Sequence, residues 1–385
     1  MIRNNPLSGI YTEPFERMRK FEYIIPLIYF LLLIIGVFAV RTATYGEYIE
    51  DNYYKQIIFS TLGIIVFFTA YFLKESFLKR IIGYLYSFTI FLLIYVLVFE
   101  RARYGARRWI RVGPVGIQPS HLFLIFTLII FAKYLAEKNK KAYYILSLTT
   151  LLGLGLIFKQ PDLGMTLFTF GLWFMLTYVS GEHEKTWKTS MFLMLFSSPF
   201  AFYFMKDYQK ARIIGFLFPE KNAAGVAYNT LQAMRAIGSG GFFGKGYLNG
   251  FMNLSDFVPE DHNDFIISVI GEEFGFLGIT VIILLYGILI YRMYIYAQKT
   301  SRRFWKYIYF GTSLIIFFHV FENIGMNLGI MPVTGVPLPL ISYGGSQIII
   351  FSFLLGLVTK GIATTESYAE ENYIDDETNF KGEMN

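Results

Sequence analysis

The chain has 385 residues, of which 55% are apolar, 19% aromatic and only 16% charged, with a mean hydropathy of +0.46. Soluble globular domains carry about 25% charged residues, so a water-soluble enzyme and a disordered chain are both excluded, and the absence of cysteine excludes disulfides, thiolate metal sites and thiol catalysis. The formal charge of +6 calls for no nucleic-acid partner, because basic loops in a membrane chain first set topology.

Residues 1–22 are polar and carry Arg3, Arg17, Arg19 and Lys20. No small-residue cleavage site follows the first apolar run, so they read as a cytoplasmic segment before an uncleaved anchor. A membrane helix needs about 20 mainly apolar residues. Ten runs qualify: 24–40, 56–72, 81–99, 115–132, 143–158, 163–181, 190–205, 265–291, 307–330 and 340–359. The expectation is an all-α integral membrane protein of about ten transmembrane helices, one polytopic domain over 23–362. A long outer loop, 206–264, separates helices 7 and 8, and a broken segment separates helices 9 and 10. With the N-terminus inside, the inner segments hold 20 Lys and Arg and the short outer loops 8, which sets the orientation and returns the C-terminus to the cytoplasm. The acidic tail 363–385 reads as disordered.

Five of those eight outer cations share one loop: Arg101, Arg103, Arg107, Arg108 and Arg111. They suit lipid headgroups or an anionic ligand, since the planar guanidinium matches phosphate oxygens. Trp109 among them is an interface anchor or a stacking surface for a sugar or isoprenoid. Lys159-Gln160-Pro161-Asp162-Leu163-Gly164 joins two spans with almost no loop, and Lys159 and Asp162 are spaced to pair. The long loop contributes Arg212 and the glycine-rich run 238–246, then ends on the polar stretch 257–265 before an apolar helix. Asp264 stands at the mouth of that helix, as an N-cap or as a functional acid. At about 100° per residue, Asp264, Ser268, Gly271, Gly275 and Gly278 fall near one line, a small-residue seam for close packing. Glu272 and Glu273, inside the span, must face the bundle or a wet cavity. From Asn323 to Ser346, three prolines and repeated glycines exclude one regular helix, and such backbone survives at membrane depth only when buried or lining a cavity. His319, Asn323 and Asn327 share one face. His319 reads as a hydrogen-bonded bundle residue, and without another His nearby a zinc site is unsupported.

Four motifs, in order, resemble those of the SEDS family (shape, elongation, division and sporulation) over roughly residues 24–362. They are Arg107-Arg108-Trp109-Ile110 with Gln118-Pro119-Ser120, then Gln160 to Gly164, then Pro259 to Phe265 with Gly271-Glu272-Glu273, and finally Asn323 to Ser346. The run Ile237 to Gly241 with Gly244 to Gly250 is more similar to elongation-type than to division-type members. The resemblance implies a peptidoglycan glycosyltransferase that polymerises lipid II at the outer face of the cytoplasmic membrane and extends a lipid-linked glycan. It implies a class B penicillin-binding protein, a transpeptidase, as partner within the elongation machinery. The family's essential acid aligns with Asp264. Arg107, Arg108, Trp109, Gln118, Lys159, Gln160, Asp162, Arg212, Glu260 and His262 are the candidate substrate-binding residues. Glu272, Glu273, Asn323, Pro332, Gly335, Pro337, Pro339, Ser342, Gly344 and Gly345 are the candidate pocket scaffold. No organic cofactor is expected. A divalent cation, Mg²⁺ or Mn²⁺, is a candidate to share the pyrophosphate charge. This chain departs from the family at His121, where Glu is usual, at Leu124, where Lys often stands, and at Asn263, where Thr is usual. Direct attack by an acceptor hydroxyl would invert the anomeric carbon and release undecaprenyl pyrophosphate. The rival expectations are a lipid-linked precursor flippase, a division-type polymerase and a scaffold that only activates the transpeptidase.

Overall fold

The computed structural model describes residues 23–45, 51–100, 108–112, 115–220, 225, 227–255 and 257–382; residues 1–22, Arg101, Arg103 and Arg107 lie outside these. In chain order the elements are α1 (Ile24–Ala43), α2 (Asp51–Phe72), α3 (Glu75–Phe99), strands β1 (Ile110–Val112) and β2 (Val115–Ile117), α4 (Pro119–Ala136), α5 (Lys140–Lys159), α6 (Leu163–Ser180), α7 (Glu184–Phe204), α8 (Asp207–Leu217), α9 (Tyr228–Gly240), α10 (Phe251–Leu254), α11 (Ile266–Lys299), α12 (Arg303–Asn327) and α13 (Gly345–Gly382). Nine helices among the described residues are long and apolar enough to cross a membrane: α1 to α6, α11, α12 and the first part of α13. The chain is thus an all-α, multi-pass membrane protein. The expected span 190–205 lies in α7, which is long enough but less apolar, with Glu184, Lys185 and Lys188 at its start.

One local expectation is corrected. Residues 115–117 are not helical: Ile110 pairs with Ile117 in a small antiparallel hairpin, and α4 begins with Pro119 at a first-turn position that needs no backbone N–H. Helix α13 runs on to Gly382.

The outer spans have one buried stripe and one exposed stripe. In α1, Ile25, Ile28, Tyr29, Leu32, Gly36, Ala39, Val40 and Ala43 are buried, while Leu27, Leu31, Ile34 and Phe38 are exposed; the three-to-four spacing is that of one helix face. Helices α4 and α12 and the first part of α13 are mostly buried and form the centre.

The segment expected to be broken is broken, and buried side chains take up its backbone groups. Val336 O accepts from Asn323 Nδ2 at 2.9 Å, Pro337 O from Gln347 Nε2 at 2.8 Å and Pro339 O from the Tyr286 hydroxyl. Ser342 Oγ accepts from Leu338 N at 2.8 Å. Gly345 has no room for a side chain, since a Cβ there would lie 2.6 Å from the Phe59 ring.

Helix α11 also breaks, at Gly275 (φ 64°, ψ −157°). The interrupted backbone pairs with the loop after α9: Phe276 N donates to Gly241 O at 2.9 Å and Leu277 N to Phe242 O at 3.2 Å. In return Lys245 N donates to Glu272 O at 3.0 Å and Gly246 N to Glu273 O at 2.9 Å. The small-residue seam therefore packs against a re-entrant glycine loop as well as helix α9. A Cβ at Gly275 would sit 2.5 Å from Gly244 N. Gly275→Ala adds to that clash a penalty of about 1–3 kcal/mol for a backbone region that essentially only glycine adopts, so a marked fall in the unfolding midpoint in detergent is expected, with Gly287→Ala, which meets open space, as the silent control.

Candidate active site

Asp264 lies in a tight turn wound around Glu260. The amides of Asn263, Asp264 and Phe265 all point at the Glu260 carbonyl, and Glu260 takes a left-handed φ of 57°. The N-cap of α11 is Phe265, with no side-chain cap, so the Asp264 carboxyl does not serve as a cap. Its main chain is fixed from α12: Asn323 Nδ2 and Asn327 Nδ2 donate to Asp264 O at 2.9 and 3.0 Å. Its Oδ2 faces Gly335, where a Cβ would approach to 3.2 Å and where φ is +77°. That position needs glycine for both reasons. Burial and the neighbouring Glu260 carboxylate raise the Asp264 pKa to about 6, against the pull of Arg212, His262 and Arg108.

The cations form a second wall. Arg108 reaches across to the turn between α5 and α6. Its Nε donates to Gln160 O at 3.3 Å, its Nη2 donates to Pro161 O, and its Nη1 lies 3.9 Å from Asp162 Oδ1. Arg212, from α8, donates to Thr334 O at 3.3 Å. Both guanidiniums line one cleft with Pro161, Leu163, Gln209 and Pro332 to Thr334, and both act electrostatically on Asp264 and Asp162. Two guanidiniums beside a carboxylate of raised pKa place positive charge next to a proton acceptor.

Asp162 is buried and belongs to the supporting layer. It accepts from Gln118 Nε2 at 2.6 Å and caps α6 through Met165 N at 3.3 Å. Burial pushes its carboxyl up, and Arg108 opposes this. The pairing of Lys159 with Asp162 is corrected: Lys159 is exposed, and the cation at Asp162 is Arg108, because the proline turn carries Lys159 outward. The Gln160 side chain is turned inward, donating to Leu93 O at 3.0 Å, so it ties the turn to α3. Glu260 is exposed and accepts from Asn263 Nδ2 at 2.8 Å. His262 lies 3.2 Å from Asn263 Nδ2, and its carbonyl accepts from Tyr343 N at 2.9 Å, which binds the turn to the broken segment. Trp109 is 47% exposed and packs on Gly116 of the hairpin. Arg107 lies outside the described residues.

Glu272 and Glu273 are structural anchors of the re-entrant loop. Glu272 takes Lys245 Nζ at 2.6 Å, Met252 N at 2.9 Å, and Asn253 N and Nδ2 at 3.1 and 2.5 Å. Glu273 takes Leu248 N at 2.5 Å and Thr42 Oγ1 at 3.2 Å. Lys245 and Asn253 were not singled out from the sequence, nor were Gln209 in the cleft or the buried Glu322, which feels Asp162 electrostatically. Glu322 was the findable one: a carboxylate beside Asn323 in an apolar run is costly unless it faces the bundle.

The family model described as cell cycle protein, covering FtsW, RodA and SpoVE, matches residues 22–367. The peptidoglycan glycosyltransferase MrdB of Escherichia coli K12 is 37% identical over 284 residues, 71% of this chain and 76% of that protein. The probable peptidoglycan glycosyltransferase FtsW of Pasteurella multocida is 33% identical over 353 residues, 87% of this chain and 88% of that protein. Among solved structures, a chain of a peptidoglycan synthase complex that coordinates polymerisation and crosslinking superposes with a TM-score of 0.76 at 28% identity, over 90% of this chain and 98% of that one. The rod shape determining protein RodA of Thermus thermophilus superposes at 0.65 with 29% identity, over 88% and 96%. With its broken helices, its arginine cleft and an acid held against a glycine, this chain belongs to the FtsW, RodA and SpoVE family of cell cycle proteins.

Proposed function

We propose that the chain is a RodA-like peptidoglycan glycosyltransferase that polymerises lipid II on the outer side of the cytoplasmic membrane. The observation that carries this is the placement of Asp264 beside the cleft lined by Arg108 and Arg212, together with the likeness to MrdB. The acceptor sugar hydroxyl gives its proton to Asp264 as it attacks the anomeric carbon of the donor. The bond to the lipid pyrophosphate breaks, its charge is taken up by the two guanidiniums, and the anomeric centre inverts. Asn323 and Asn327 hold the main chain of the base. Both termini are cytoplasmic in this reading, and the partner is a class B penicillin-binding protein, in keeping with the synthase complex to which the fold is similar. Among the described residues no three His, Asp or Glu side chains converge on one point. A divalent cation, where one takes part, takes most of its ligands from the donor pyrophosphate and water and needs only one or two protein oxygens.

The test is glycan synthesis from purified lipid II by the chain with its transpeptidase. Arg212→Ala is expected to lower the rate by about 10²-fold or more, the scale set by loss of one preorganised donor to a developing charge, with Arg212→Lys intermediate because it keeps charge but loses the planar fork. Lipid translocation without polymer would support a transporter in place of a polymerase.

A further inference from the structure

Two histidines far apart in sequence meet inside the helix bundle. His121 on α4 and His319 on α12 have ring centroids 6.2 Å apart, inclined at 39°, and their residues are 6% and 0% exposed. The Nε2 atoms of both are buried without a hydrogen-bond partner among the described residues. His319 Nδ1 lies 2.8 Å from Ile315 O. A carbonyl only accepts, so Nδ1 carries the proton, and Nε2 of the neutral ring is a lone pair that needs a donor. Phe168 and Phe351 cover other sides of this ring, with centroids at 4.6 and 5.1 Å, and supply none.

The centroid separation bears on what two facing nitrogens could share. A direct imidazole-to-imidazole hydrogen bond, at about 2.9–3.0 Å between nitrogens, brings ring centroids to about 5 Å or less. One small molecule bonded to both nitrogens at the usual length, with a bent angle between its bonds, spans roughly 6–7 Å between centroids. A water molecule has that shape, can donate to the His319 lone pair and can donate to or accept from His121. Buried polar atoms without protein partners are commonly satisfied by such a molecule.

We infer that His121 and His319 form a binding site for one internal water, which joins α4 to α12 in the middle of the bundle. Gln118, which holds Asp162, lies three residues before His121 on the α4 side; Asn323, which holds Asp264, lies four residues after His319. The bridge therefore spaces the two helices whose outer ends carry the two walls of the cleft.

A double-substitution cycle on the purified full-length chain tests this. His121→Phe and His319→Phe are each expected to lower the unfolding midpoint by roughly 2–4 °C. The double variant is expected to be no worse than the weaker single one, because no lone pair is then left orphaned. Additive losses would overturn the shared site. The chain has only 4 histidines, so ¹⁵N-histidine spectra resolve them. A water-exchange contact at His319 Nε2 that disappears in His121→Phe supports the bridge. A direct coupling between the two rings, or a metal bound in one-to-one amount, overturns it.

Discussion

Asp264→Asn will abolish glycan synthesis while leaving the chain folded, and at neutral pH it will be at least as stable as the wild type. The loss should be about 10²–10⁴-fold, the usual contribution of a positioned base, since Asn cannot take the acceptor proton. The stability argument follows from linkage. The folded carboxyl has a pKa of about 6 against the ordinary 3.8. Between those pH values the native state keeps a proton that the unfolded chain has released, so stability falls as pH rises through this window. Above pH 6 the ionised carboxylate is a standing cost that Asn removes. The unfolding midpoint of the wild type should thus drop from pH 4 to pH 7 relative to that of Asp264→Asn. The polymerisation rate has the opposite dependence, rising as Asp264 ionises near pH 6. A variant that loses activity and stability together would make Asp264 a structural residue.

Glu272→Ala will have the largest effect on folding. Its buried carboxylate collects Lys245, two backbone amides and the Asn253 amide, and through them it holds the re-entrant loop against the break in α11. Removing one partner of a buried, hydrogen-bonded ion pair typically costs about 3–5 kcal/mol; Lys245 can turn to water, so the lower end applies. Glu272→Gln keeps an acceptor and should recover part of the loss. Limited proteolysis within residues 241–253, together with the unfolding midpoint, measures both. If Glu272→Ala leaves that loop protected, the anchor lies elsewhere, with Glu273 and Leu248 as the next candidates.

The spans and the broken segment were legible in the sequence. Lipid selects for long apolar helices, and proline, glycine and charge at membrane depth stand out against them. The partners of those charges were not legible. Lys159 and Asp162 are neighbours along the chain, yet the proline turn sends Lys159 outward and brings in Arg108 from another loop. Gln160 looked like part of a polar site, but its side chain turns toward α3. Glu272 read equally well as a pocket or a structural group until the loop 245–253 closed around it.

By itself the sequence determined the solvent, the approximate number of crossings and the places where helices fail, because each depends on residue type and local spacing, while the kind of chemistry came from the resemblance of its motifs to a known family. Only the tertiary structure decided which donor meets which acceptor: Asn323 and Asn327 at the Asp264 carbonyl, Gly335 at its carboxyl, and His121 opposite His319. Such pairs join helices separated by tens to hundreds of residues, and their geometry is set by how whole helices pack, which no local pattern encodes.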